Sequence, residues 1–151
     1  MTPPERSPFR LPEREGPRVE FKRGDVLDPA KHPRFETLLR SVVAMWNAGG
    51  GKIFVGVEEM PDGRPIPAGL PPNGGELKER FRDALVGRLD PPPLAEEVRF
   101  HERAVGPATV LELHVRSGPG RGPACVLAGG GQRIYLTRYE NRNRQIGRAH
   151  V

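Results

Sequence analysis

The sequence predicts an α+β domain, a mixed and mostly antiparallel sheet packed against two main helices. Three observations carry that prediction. Phe35, Leu38, Leu39, Val42, Val43 and Trp46 recur at intervals of three and four, the spacing that gives a helix one apolar stripe. Asn47 with Gly49, Gly50 and Gly51 supplies residues that tolerate positive φ and close the helix, and Lys52 to Val57 (KIFVGV) then reads as a buried strand. In the second half of the chain, apolar and polar residues alternate with the period of two expected of strands.

Taken in order, Met1 to Arg14 is proline-rich and charged and is expected to be a flexible arm, with the domain proper at 15–145. Arg18 to Lys22 alternates as a short strand. Asp28-Pro29 and His32-Pro33 are both suitable entrances to the first helix, since proline fits a helix's first turn. After the strand at Lys52 to Val57 comes an acidic turn, Glu58 to Gly63, and then a proline-punctuated loop with room for a brief extended segment at Ile66. Asn73 and Glu76 have the spacing of a capping box. The helix they open has Leu77, Phe81, Ala84, Leu85 and Leu89 on its apolar face and is stopped by Pro91 to Pro93.

Val98 to His101 and Thr109 to Arg116 read as a hairpin turning at Gly106-Pro107. A glycine and proline connector, Ser117 to Pro123, follows. The last expected strand is Arg133 to Tyr139, with Ile134 and Leu136 on one face and Tyr135, Thr137 and Tyr139 on the other. Asn141 and Asn143 read as turn residues. Ile146 to Val151 (IGRAHV) is the peptide encoded by one frame of a widely used sequencing-adapter oligonucleotide, so it is expected to be a read-through artefact and is set aside from fold reasoning, as are Arg148 and His150. On that expectation the domain is truncated near Gln145 and a C-terminal portion is missing.

A chain of 151 residues suits one domain with its own core. Its 19 Gly and 18 Pro fall between the periodic segments, so loops are local interruptions. The net charge of +5 favours anionic partners such as nucleic acid. Cys125 is the only cysteine, which excludes an intrachain disulfide or a cysteine zinc site and suits the cytoplasm. No apolar run reaches membrane-spanning length. Ala48 to Lys52 (AGGGK) is not a phosphate-binding P-loop, because here the helix precedes the turn and Ile53 follows the lysine. His32, His101 and His114 are dispersed and show no metal-ligand spacing.

Two sets of charged residues carry the functional expectations. Lys22, Arg23, Lys52, Arg138, Arg142 and Arg144 are the cations expected on a phosphate-contacting face, with Tyr135 and Tyr139 as candidates for stacking on unpaired bases or for plain packing. The carboxylates Glu15, Glu20, Glu58 and Glu59 bracket strand ends. They are open to two readings: a site for Mg²⁺ or Mn²⁺, which take oxygen ligands, or surface charge and ion pairing, the latter above all for Glu20.

Glu20-Phe21-Lys22, the stretch AMWNAGGGKIFVGVEE from Ala44 to Glu59, Asp62-Gly63, the VLELHV strand and the closing YLTRYENRNR together resemble the Schlafen-type, AlbA-like DNA-binding domain family. The resemblance implies an α+β domain that binds nucleic acid, often at the N-terminus of bacterial regulatory proteins. Some animal members of that family are RNA endonucleases with three carboxylates. By resemblance these would be Glu15 and Glu20, five residues apart, with Glu58 or Glu59, and Mg or Mn would be needed only in that case. The sequence departs from the family where Glu stands for the usual Asp after Gly56-Val57 and Ala48 for the usual Thr. A metal-dependent endoribonuclease and a protein-interaction scaffold are therefore the alternatives to a nucleic-acid-binding domain. An unpaired strand edge would permit a homodimer.

Overall fold

The computed structural model of the chain describes residues 9–140 and 142–150, with the side chains of residues 32 and 148–150 outside that description. Most of the expected arm and all of Asn141 thus lie outside the described residues. The strands are β1 (Val19–Lys22), β2 (Gly51–Val55), β3 (Val57–Glu59), β4 (Pro65–Pro67), β5 (Leu89–Asp90), β6 (Val98–Val105), β7 (Ala108–Val115), β8 (Cys125–Leu127), β9 (Gln132–Tyr139) and β10 (Arg142–His150). Two helices, α1 (His32–Asn47) and α2 (Gly74–Arg88), interrupt them.

The mixed, mostly antiparallel arrangement is present, divided between two four-stranded sheets and a ribbon. The first sheet has the order β1-β2-β7-β6, the second β10-β9-β8-β5, and β3 pairs with β4. Among the described strands, only β1 and β2 pair in parallel. Their crossover is α1, which supplies the dozen or more residues that a parallel pair needs. The apolar stripe of α1, Leu38, Leu39, Val42 and Val43, is fully buried against Ile53 and Val55 of the first sheet and Ile134 and Leu136 of the second. Leu77, Phe81 and Leu85 of α2 join the same core.

The outer face of the first sheet carries a smaller cluster, Phe21, Phe54 and Val110, covered by Phe9 and Leu11. The described end of the expected arm is thus docked, with the Phe9 ring 6.0 Å from that of Phe54. Two local expectations are corrected. Asn73 makes no side-chain cap bond at the start of α2, so the capping box is not formed. Asp28 closes a turn, its Oδ1 accepting from Ala30 N at 2.9 Å, and α1 begins instead at His32 with Pro33 in its first turn.

The glycine turn after α1 has a steric cause. Gly49 and Gly50 both have positive φ, and a Cβ on Gly50 would lie 2.8 Å from the carbonyl oxygen of Val115. The chain can therefore leave α1 and enter β2 beside β7 only without side chains there. At the other end of the fold, β10 pairs with β9 through His150, with an irregularity between Gln145 and Gly147.

Candidate nucleic-acid interface

The two faces of β9 separate the predicted residues. Ile134, Leu136 and Arg138 share the inward face, and the Arg138 side chain is fully buried. Arg138 Nη1 donates to Glu20 Oε1 at 2.7 Å and to Asn143 Oδ1 at 3.1 Å. Its Nη2 donates to the carbonyl oxygens of Gly16 at 3.2 Å and Val19 at 3.1 Å. A guanidinium so enclosed cannot reach a solvent-side phosphate, so Arg138 is removed from the expected basic face and given to a buried ion pair. Asn143 is likewise more than a turn residue, since its Nδ2 also donates to Ser41 Oγ at 2.8 Å.

Glu15 and Glu20 lie beside this guanidinium, and Glu59 lies against Glu15. Glu15 Oε2 accepts from the backbone N–H of Phe21 at 2.9 Å and lies 4.0 Å from Arg138 Nη2. Burial first, then a hydrogen bond with Glu59 and the nearby charges of Glu59 and Glu20, pushes the Glu15 carboxyl from 4.5 up to about 7. Lys22 Nζ is 3.5 Å from Glu20 Oε1. Glu58 points elsewhere and forms an exposed pair with Arg23 at 3.7 Å. The third carboxylate of the cluster is therefore Glu59.

These residues do not fit a divalent ion. The charge that would balance Glu20 is already supplied by Arg138 and Lys22. Among the described residues no group of three or more His, Cys, Asp and Glu side chains has an arrangement that could hold a metal. Glu20 Oε2 is buried without a hydrogen-bond partner. Glu20, the most buried of the three carboxylates, is committed to an ion-pair network with two cations, which repel a further cation from its side of the cluster.

The outward face of β9 and its partner strand has the opposite character. Arg142 stands directly opposite Tyr139, and Arg144 opposite Thr137. Tyr139 is 61% exposed. Arg142 and Arg144 are exposed and form no ion pair among the described residues. Tyr135, further along, is half-buried beside Cys125, which together with burial pushes its phenol above the ordinary range. Tyr139 is therefore the available ring, and Tyr135 is a packing residue.

The remaining expected cations occupy separate clefts. Lys22 and Arg23 line an open cleft of about 470 Å³ with Arg34, Glu58 and Glu59, a surface of mixed sign. Lys52 lies instead beside the glycine turn with Arg18, His114 and Arg116, in a cleft of about 440 Å³. The single basic face expected from the sequence is thus distributed over three surfaces.

Asn47 is the residue whose role the sequence reading missed. It is the last residue of α1, and its side chain clamps the second sheet: Nδ2 donates to the carbonyl oxygens of Ala124 at 2.9 Å and Leu136 at 2.7 Å, while Oδ1 accepts from Ala124 N at 2.8 Å. Trp46 adds a bond from Nε1 to the carbonyl oxygen of Gly122 at 3.0 Å.

Comparison with solved structures places this fold among known ones. The N-terminal domain of an ATP-dependent DNA helicase RecG-related protein from Nitrosomonas europaea is similar, with a TM-score of 0.59 and 21% identity over 77% of this chain and 74% of that one. The DIP2311 protein from Corynebacterium diphtheriae is similar with a TM-score of 0.56 and 21% identity over 86% of this chain, which spans only 22% of that protein. Among curated proteins none matches. Among the described residues no helix is long and apolar enough to cross a membrane. The family model for Schlafen, AlbA_2 matches residues 15–147, which takes in the first sheet, both helices, the Glu20–Arg138 pair and the second sheet up to the last three residues of β10, and the chain belongs to that family.

Proposed function

We propose that this chain is a nucleic-acid-binding domain of a cytoplasmic regulatory protein, and that it holds phosphates on the exposed face of β9 and β10. The observation that carries this reading is the pairing of Arg142 with Tyr139 and of Arg144 with Thr137, two arginines of β10 that have no carboxylate partner among the described residues and lie beside an exposed ring. Arginine neutralises phosphate and tyrosine stacks on an unpaired base, so the surface suits a single strand. Membership of the Schlafen, AlbA_2 family and the helicase-related neighbour in N. europaea support it. The endoribonuclease reading is not carried forward, because the carboxylate cluster does not fit a metal ion.

Binding of labelled single-stranded and duplex DNA and RNA across a salt series tests the reading. Steeply salt-dependent binding that weakens in Arg142→Gln/Arg144→Gln supports it. Absence of binding at low salt, or binding indifferent to that double substitution, overturns it.

A further inference from the structure

The first sheet presents a row of basic residues with no acid among them. Lys52 of β2 stands directly opposite His114 of β7, and His114 directly opposite Arg99 of β6. Paired positions on a sheet bring Cβ atoms to roughly 5 Å, so His114 stands between two cations. Arg18 and Arg116 flank the row where the chain enters β1 and leaves β7. Among the described residues none of Arg18, Lys52, Arg99 and Arg116 forms an ion pair with a carboxylate. The nearest acid on this face, Glu112, is engaged with Arg103 at 3.5 Å. These cations have no carboxylate partner among the described residues, and a bound anion would supply the missing negative charge.

Arg18, Lys52, His114 and Arg116 line one open cleft of about 440 Å³, and Arg99 stands outside it. Gly49, Gly50 and Gly51 form one wall, so no side chain fills it. Arg18 Nη1 is anchored on the carbonyl oxygen of Gly49 at 3.3 Å, which keeps its guanidinium at the rim. The backbone N–H groups of Gly49 and Gly50 are spent on Trp46 and Met45 carbonyls, so the anion's contacts come from side chains.

We propose that the cleft between the glycine turn and β7 is a phosphate subsite, in which Lys52 and Arg116 bind the oxyanion, Arg18 closes the rim and His114 forms the floor. The inference rests on the nucleic-acid reading for its natural occupant, a strand phosphate, and it adds a second point of attachment, separate from Arg142 and Arg144. Burial, with the charges of Lys52, Arg99 and His101 outweighing that of Glu112, holds His114 below the ordinary histidine range, so an arriving anion should restore its proton affinity.

The test follows the His114 imidazole by NMR in the full chain, titrated with inorganic phosphate against chloride at matched ionic strength, and then with 5′-phosphorylated and unphosphorylated oligonucleotides. The expected result is a saturable shift of the His114 signals and a rise in its pKa, both lost in Lys52→Gln/Arg116→Gln and retained in Lys52→Arg. The same double substitution should lower the salt slope of oligonucleotide binding by about 1 to 2, the share of one or two phosphate contacts. Oligonucleotide binding with His114 undisturbed by any of these ligands overturns the subsite and leaves the β9–β10 surface standing. A response of His114 to inorganic phosphate with no oligonucleotide binding overturns the nucleic-acid reading and supports the subsite as one for free phosphate. A melting temperature unchanged in the double variant ensures that a lost response is not lost folding.

Discussion

Arg138 Nη1 donates to Glu20 Oε1 at 2.7 Å, joining the core-facing side of β9 to β1 at the edge of the other sheet. Both side chains are buried, so each makes the other tolerable in a medium that would otherwise expel the charge. Arg138→Leu should therefore destabilise the fold by about 3 kcal/mol in urea unfolding, the cost of a buried carboxylate left with only the more distant Lys22. Glu20→Leu/Arg138→Leu should recover most of that loss. A double variant as unstable as the single one would show that the pair is not the cause.

Asn47 offers a second measure of the same joint. Asn47→Ala leaves the Ala124 N–H and two carbonyl oxygens without partners and should cost about 3 kcal/mol. Asn47→Asp keeps the acceptor for Ala124 N–H yet sets a carboxylate against the Ala124 and Leu136 carbonyl oxygens. It should be no better than alanine at pH 7, by thermal or urea unfolding, and should improve as the pH falls.

The raised pKa of Glu15 makes a statement about stability against pH. Its carboxyl titrates near 7 in the fold and at 4.5 otherwise, so between these values the folded state binds the proton more tightly. Stability is then lost as pH rises through that window and is unaffected below it. Glu15→Gln keeps an oxygen for the Phe21 N–H and removes the titration. The variant should melt a few degrees above the natural chain at pH 8, roughly the shift that 1 kcal/mol gives at this size, and the gap should close by pH 4. Parallel melting curves at both pH values would count against the shift.

Tyr139 should distinguish strand states. Stacking needs an unpaired base, so Tyr139→Ala should weaken single-strand binding by about 1 to 3 kcal/mol and leave duplex binding nearly unchanged. Arg142→Gln/Arg144→Gln should weaken both and lower the salt slope by about 1 to 2. Fluorescence anisotropy at several salt concentrations reads all three quantities.

The helix, glycine turn and strand from Phe35 to Val57 were legible because their cause is local: a period, a C-terminal glycine and a β-branched run. The hairpin of β6 and β7 was legible for the same reason. Asn47 was not, because the backbone groups it bonds belong to Ala124 and Leu136, 77 and 89 residues away. Arg138 was misplaced although a signal existed. It shares the parity of Ile134 and Leu136, and the period of two that put those residues inside puts Arg138 inside as well. Arginine's usual preference for the surface outweighed the pattern in the sequence reading. The basic row on the first sheet was invisible for another reason, since Lys52, Arg99 and His114 become neighbours only once β2, β7 and β6 are set in register.

The contacts of Arg138 with Glu20, Val19 and Gly16 span 118, 119 and 122 residues. Closing so long a loop carries a large entropic cost, and it yields little until both sheets exist to present the partners. These bonds should therefore form after the folding barrier is crossed, and disrupting them should speed unfolding while leaving the refolding rate almost unchanged. Arg138 then acts as a kinetic latch: it lengthens the lifetime of the folded domain without helping the chain to find it.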